Sequence, residues 1–173
     1  GASVAWHRDG TTHWDSPDFD EGTHGFNFMA QLYGCTSANG VWVVPGSHKE
    51  RYVDIADMVT RAGSERIEEA IPMICNPGDV VISNRQAVHG SFANTSSDWR
   101  ITINQGFHRR KSVLGVKGGG LHGKPAVYDA ERIIERSKII KLAIEARKQR
   151  FPDEQAFEYK PLSASTEDFT WNA

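Results

Sequence analysis

Histidine and aspartate stand two residues apart twice in the stretch SVAWHRDGTTHWD, at His7/Asp9 and again at His13/Asp15. In an extended chain residues i and i+2 project to the same side, so each pair presents an imidazole and a carboxylate together. One such pair with a distant histidine supplies two nitrogens and an oxygen. That is the ligand set of non-haem Fe(II) oxygenases, which leaves three adjacent octahedral positions open for a co-substrate and dioxygen. A redox-active ion with open positions can activate oxygen, as Zn²⁺ cannot, although Zn²⁺, Ni²⁺ or Co²⁺ would fit the same donors.

A second group of residues lies in NPGDVVISNRQAVHGSFANTSSDWRITINQGF. Pro77-Gly78-Asp79 makes a turn, DVVIS a strand, and WRITINQGF a second strand, with His89 between the two. In the later strand Arg100, Thr102 and Asn104 share one face and Ile101 and Ile103 the other. If the isoleucines pack outward against a covering layer, the polar face looks into a cavity. A cavity lined by an arginine suits a carboxylate.

The elements that must hold these groups are mostly strands. Up to about residue 110, short apolar runs broken by Gly, Pro, Asn and Asp predict strands at SVAW, GFNFMAQLY, GVWVVP, MIC, DVVIS, SFAN and RITINQGFH, a spacing that suits a sandwich or barrel. Two short helices are expected inside it, one over VDIADMVTRAG and one capped by Ser64 through ERIEEA before Pro72. VYDAERIIERSKIIKLAIEARKQR places Ile133, Ile140 and Ile144 on one face of a long amphipathic helix. The expected division is a β core over 1–125 and a helix with a polar tail over 126–173.

A chain of 173 residues fits one domain. It buries roughly 70% of the surface its unfolded form exposes. With 20 Lys plus Arg against 22 Asp plus Glu there is no nucleic-acid footprint, which favours a small-molecule partner. Cys35 and Cys75, 40 residues apart, form neither a disulfide framework nor a metal pattern, which predicts a reducing compartment, the cytoplasm. No apolar run approaches the roughly 18 residues of a membrane span.

Three blocks in order, WHRDG, NGVWVVPGSHK and NPGDVVIS…VHGSFANTSSDWR, resemble the phytanoyl-CoA dioxygenase family of Fe(II)/2-oxoglutarate oxygenases, over about residues 5 to 108. The resemblance implies a mainly β fold, a double-stranded β-helix of the jelly-roll or cupin kind, with iron near one open end. It implies His7, Asp9 and His89 as iron ligands and Arg100, eleven residues after His89, as the partner of the distal carboxylate of 2-oxoglutarate. Ser91 and Thr102 match hydroxyl positions that help hold that carboxylate. The implied cofactors are Fe(II), 2-oxoglutarate as co-substrate, and O2. The implied reaction is decarboxylation to succinate and CO2 coupled to hydroxylation of a small organic molecule.

Between the two His-x-Asp pairs, His7/Asp9 follows an apolar, strand-like run and is expected to be the ligand pair. His13, Trp14, Asp15 and His24 then become candidates for a lid or substrate wall. His48 in VVPGSHK is read as structural. Gly118 to Lys124 matches the core of a phosphate-binding loop, but Pro125 stands where a hydroxyl is needed, so it is read as a linker or a loop near the barrel mouth. Against the family pattern the chain begins close to its first motif. The expectation is a truncated member with an exposed edge, covered by homodimerisation or strand exchange. Two other readings use the same residues: a non-catalytic jelly-roll that binds a small acid, or a Zn- or Mn-dependent hydrolase or isomerase.

Overall fold

A computed structural model of the chain describes residues 3–9, 24–118 and 126–170. The short apolar runs form strands β1 (Val4–His7), β2 (Gly25–Gln31), β3 (Val41–Val43), β4 (Ile71–Pro72), β5 (Val80–Asn84), β6 (His89–Ser91) and β7 (Thr102–His108). A small ribbon adds β8 (Lys117–Gly118) and β9 (Ala126–Val127). One sheet has the order β1-β6-β3-β4 and the other β5-β2-β7, with every pairing antiparallel. The chain therefore changes sheet after β1, β2, β4, β5 and β6. That alternation is the winding of a jelly roll.

Helix α1 (Ile55–Ala62) follows the first predicted helix. Asp54 caps it by accepting from the Asp57 N–H at 2.9 Å, and Gly63, at φ 61°, ends it. Its apolar side completes a core of Val44, Ile67, Ala70 and Val88, against which Trp6, Trp42, Ile55, Met58 and Val59 pack. Val88 is wholly buried and Ile67 is 2% exposed, each stabilising by about 1.5–3 kcal/mol. A four-residue helix, α2 (Arg110–Val113), precedes the ribbon. The long helix α3 (Ala130–Arg150) is capped by Asp129, which accepts from the Arg132 N–H at 2.8 Å, and it stops before Pro152.

The structure differs from expectation in four places. ERIEEA is not helical: the Ser64 hydroxyl closes a local turn on Arg66, the Glu65 carbonyl accepts the Trp6 indole N–H at 2.6 Å, and Ile67 is drawn into the core. The strand expected at MIC lies at Ile71–Pro72, where proline is tolerated because β4 is an edge. In place of SFAN, the strand is His89–Ser91. Ile101 and Ile103 alternate as expected, but at 42% and 49% exposure they meet no covering layer among the described residues. Val80 and Ile82 share that open face, through register with Ala30 and Phe28 of β2. Among the described residues no helix is long and apolar enough to cross a membrane.

Candidate metal centre

The extended backbone of β1 turns His7 and Asp9 to one side and Arg8 to the other. Arg8, 8% exposed, donates to the carbonyls of Ser47, Glu50 and Arg51 and so locks the turn over Ser47–Lys49 against the strand. Ser47 in turn accepts the Val88 N–H at 2.8 Å. Asp9 N donates to the Arg85 carbonyl at 3.0 Å. These ties fix the His7–Asp9 segment beside the start of β6, where His7 and His89 are paired in register.

The three predicted ligands converge. One donor atom from each of His7, Asp9 and His89 lies within 4.8 Å of the others. His7 Nε2 is 3.5 Å from Asp9 Oδ1, His89 Nε2 is 3.7 Å from Asp9 Oδ2, and the ring centroids are 4.3 Å apart. Each ring is oriented by the carbonyl two residues before it: His7 Nδ1 to Ala5 O at 2.7 Å, and His89 Nδ1 to Ala87 O at 2.9 Å. A carbonyl only accepts, so each Nδ1 carries a proton; in the neutral ring Nε2 keeps its lone pair for the space beside Asp9, and in protonated His7 it turns an N–H on that carboxylate instead.

Two residues that the sequence reading missed hold the carboxylate. Asn27 Nδ2 donates to Asp9 Oδ2 at 2.7 Å, Arg85 Nη1 donates to Asn27 Oδ1 at 2.5 Å, and Arg85 Nη2 lies 3.7 Å from Asp9 Oδ2. With an acceptor on one side and a donor on the other, the Asn27 amide has only one workable orientation. A Cβ on Gly106, opposite Asn27 in β7, would collide with Arg85 Nη1, so glycine there makes room for the guanidinium. The sequence did hold one signal. Asn27 and Gln31 fall on the buried face of β2 with Met29, at 2% and 6% exposure, and a polar side chain on a buried face needs a partner.

Charge follows this geometry. Burial alone would raise the Asp9 carboxyl, but hydrogen bonds from His7 and Asn27 and the charges of Arg85 and His89 outweigh it and hold the group well below the usual carboxylate range. The hydrogen bond to Asp9 raises His7 above its ordinary 6.5, against burial. Burial lowers His89 below the same value. An anionic oxygen and two nitrogens with free lone pairs, facing one gap, fit a divalent first-row ion.

Metal binding needs both imidazoles neutral. As the pH falls, His7 is therefore protonated first, above 6.5, and His89 only below 6.5. Co(II) affinity, followed by titration across the neutral range, should decline with one proton per metal at first and two at lower pH. A second prediction concerns the support. Asn27→Ala should weaken metal affinity about 10- to 100-fold. It should also cost about 1–3 kcal/mol of stability from the unpaired Asp9 and Arg85 groups. Parallel metal titration and denaturant unfolding would measure the two effects.

The remaining predicted residues stand apart from this cluster. Thr102 opens β7 opposite Gln31, and its hydroxyl donates to Gln31 Oε1 at 2.7 Å. Gln31 is four residues along β2 from Asn27, about 13 Å at strand rise. Half-buried Arg100 lies two residues before β7, beyond Thr102. Ser91 is buried at the end of β6. His24, 4% exposed, has Nδ1 2.8 Å from Ser112 Oγ. His48 sits in the Ser47–Lys49 turn and is not a member of the cluster. His13, Trp14 and Asp15, and Gly119 to Pro125 of the glycine-rich segment, lie outside the described residues.

Residues 1–102 match the family model described as Phytanoyl-CoA dioxygenase (PhyH). The chain belongs to the phytanoyl-CoA dioxygenase family. It is similar to the dioxygenase cdmD of Talaromyces verruculosus, with 39% identity over 75 residues, 43% of this chain and 22% of that protein. Among solved structures it resembles EctD from S. alaskensis in its apoform, with a TM-score of 0.51 and 22% identity over 66% of this chain and 41% of that one. The structure of EctD with 2-oxoglutarate and 5-hydroxyectoine matches with a TM-score of 0.50, 22% identity and the same coverage. The likeness to EctD establishes the jelly-roll fold. The chain spans about a fifth of the matched curated relative and about two fifths of EctD.

Proposed function

We propose that the chain is the metal-binding core of an Fe(II)- and 2-oxoglutarate-dependent dioxygenase that hydroxylates a small organic molecule. The observation that carries this reading is the convergence of one donor atom each from His7, His89 and the Asp9 carboxylate within 4.8 Å. Family membership and the EctD fold support it. Iron held there, with 2-oxoglutarate and dioxygen, would supply the oxidation, with one oxygen atom going to the substrate C–H bond, the other to succinate, and CO2 as the by-product.

The chain's own residues bind and orient. His7, His89 and Asp9 would hold the ion, and their carbonyl and Asn27–Arg85 partners fix them before it arrives, so little ordering is left for the binding step. Arg100 would receive the far carboxylate of 2-oxoglutarate through charge-assisted hydrogen bonds, with Ser91 and Thr102 beside it. Asp9 also favours hydroxylation over halogenation, in which that carboxylate is replaced so that halide can bind the metal.

Succinate release from 2-oxoglutarate in air tests the reading. The iron-loaded chain should form succinate, and omission of either Fe(II) or 2-oxoglutarate should abolish it. An iron-loaded chain that forms none above the metal-free control would overturn the proposal in favour of a binding module or a hydrolase.

A further inference from the structure

Cys35 and Cys75 are 40 residues apart in sequence and directly opposite one another in the fold. They form an isolated antiparallel bridge in which Cys35 N donates to Cys75 O at 2.9 Å and Cys75 N to Cys35 O at 3.0 Å. In a pair that exchanges both hydrogen bonds, the side chains leave the same face and the Cα atoms lie about 5.5 Å apart. That is within the roughly 4.4–6.8 Å that a disulfide spans. The sulfurs also share a neighbour: Cys35 Sγ donates to the Met73 carbonyl at 2.9 Å, and Cys75 Sγ lies 3.9 Å from the same oxygen. Both thiols are free. The register is fixed on each side, by Met73 N donating to Val41 O at 2.8 Å and by Gly34, where a Cβ would stand 3.1 Å from the Cys75 carbonyl.

We propose that Cys35 and Cys75 are an intramolecular disulfide-forming pair, oxidised by a low-molecular-weight disulfide of the glutathione type and reopened by the corresponding thiol. Cys75 is partly exposed and Cys35 only 3% exposed, so Cys75 meets the reagent first. Its thiolate attacks one sulfur of the reagent, and the displaced thiolate leaves as thiol with the proton that Cys75 gave up. Cys35 then attacks Cys75 Sγ, and the second half of the reagent leaves as thiol with the Cys35 proton. Two protein thiols become one disulfide, and one reagent disulfide becomes two thiols.

Two features set the character of this pair. Burial, and the neighbouring Cys35, push the Cys75 thiol up to about 11. Thiolate is scarce at neutral pH, so oxidation is slow and quickens about tenfold per pH unit below that value. In a hydrogen-bonded cross-strand pair the Cβ atoms lie about 5.5 Å apart, against the roughly 3.8 Å that a disulfide prefers. Closing the bond must draw the backbones together, and that strain makes it reducible. The pair lies past the end of β2 opposite Asn27 and joins segments that follow β2 and β4, one from each sheet. It ties together the β2–β3 and β4–β5 crossovers, and neither cysteine belongs to the candidate metal cluster.

The native chain, equilibrated with a series of reduced-to-oxidised glutathione ratios at mildly alkaline pH and then acid-quenched, can be read by intact mass. The expected product has lost two hydrogens and keeps no glutathione, its fraction follows the ratio in both directions, and its thermal midpoint rises about 5–10 °C. Cys35→Ser should retain glutathione on Cys75, while Cys75→Ser should react at least tenfold more slowly at the buried thiol. Metal affinity should not change on oxidation. Mixed disulfides or covalent dimers as the main wild-type product would overturn the assignment. A chain that stays reduced at the most oxidising ratio would also overturn it, and so would a bond that resists excess reduced glutathione.

Discussion

His89→Ala should lower the affinity for Fe(II) or Co(II) by on the order of a hundred- to a thousandfold, its share of the binding energy of a three-residue site, and reduce succinate formation to background. The substitution removes a nitrogen donor 3.7 Å from Asp9 and leaves the Asn27–Arg85 support in place. The fold loses a single hydrogen bond from the ring to Ala87 O, about 1 kcal/mol. His48→Ala is the control, because that histidine lies outside the cluster and its loss should leave metal affinity unchanged. Metal titration with a thermal melt on each variant separates lost ligation from lost folding. Wild-type affinity in His89→Ala would remove this residue from the site.

Arg100→Ala should weaken 2-oxoglutarate binding by roughly a hundred- to a thousandfold, the loss of a charge-assisted anchor, while metal affinity stays at the wild-type level. Arg100→Lys keeps the charge without the planar fork and should recover only part of the loss. Calorimetric titration of 2-oxoglutarate into the metal-loaded proteins measures both. Unchanged 2-oxoglutarate binding in Arg100→Ala would move the anchor elsewhere, without affecting the assignment of the triad.

The grouping of His7 with Asp9 was legible because it rests on a local rule. Period-two alternation puts His7 and Asp9 on one side of a strand and Thr102 and Asn104 on one face of another, and both placements hold. The support for Asp9 was not legible in the same way. Arg85 sits in the turn between β5 and β6 with nothing local to mark it; the pairing of β5 with β2 and its backbone bonds to Gly25 and Asp9 bring its guanidinium beside the carboxylate, and Gly106 leaves it room. The Cys35–Cys75 bridge is equally a product of register between distant segments. The misplaced helix at ERIEEA has the same origin. A six-residue run with good helix formers was outvoted by a Trp6 hydrogen bond and the burial of Ile67, both tertiary.

Anaerobic titration of the Fe(II)-loaded chain with 2-oxoglutarate, followed by visible absorption, reads the triad and the co-substrate at once. The account predicts a metal-to-ligand charge-transfer band that saturates at one equivalent and is absent from His7→Ala and Asp9→Ala. A chain that binds iron yet develops no such band, or a band that persists undiminished in those variants, would contradict the assignment of these side chains to the metal.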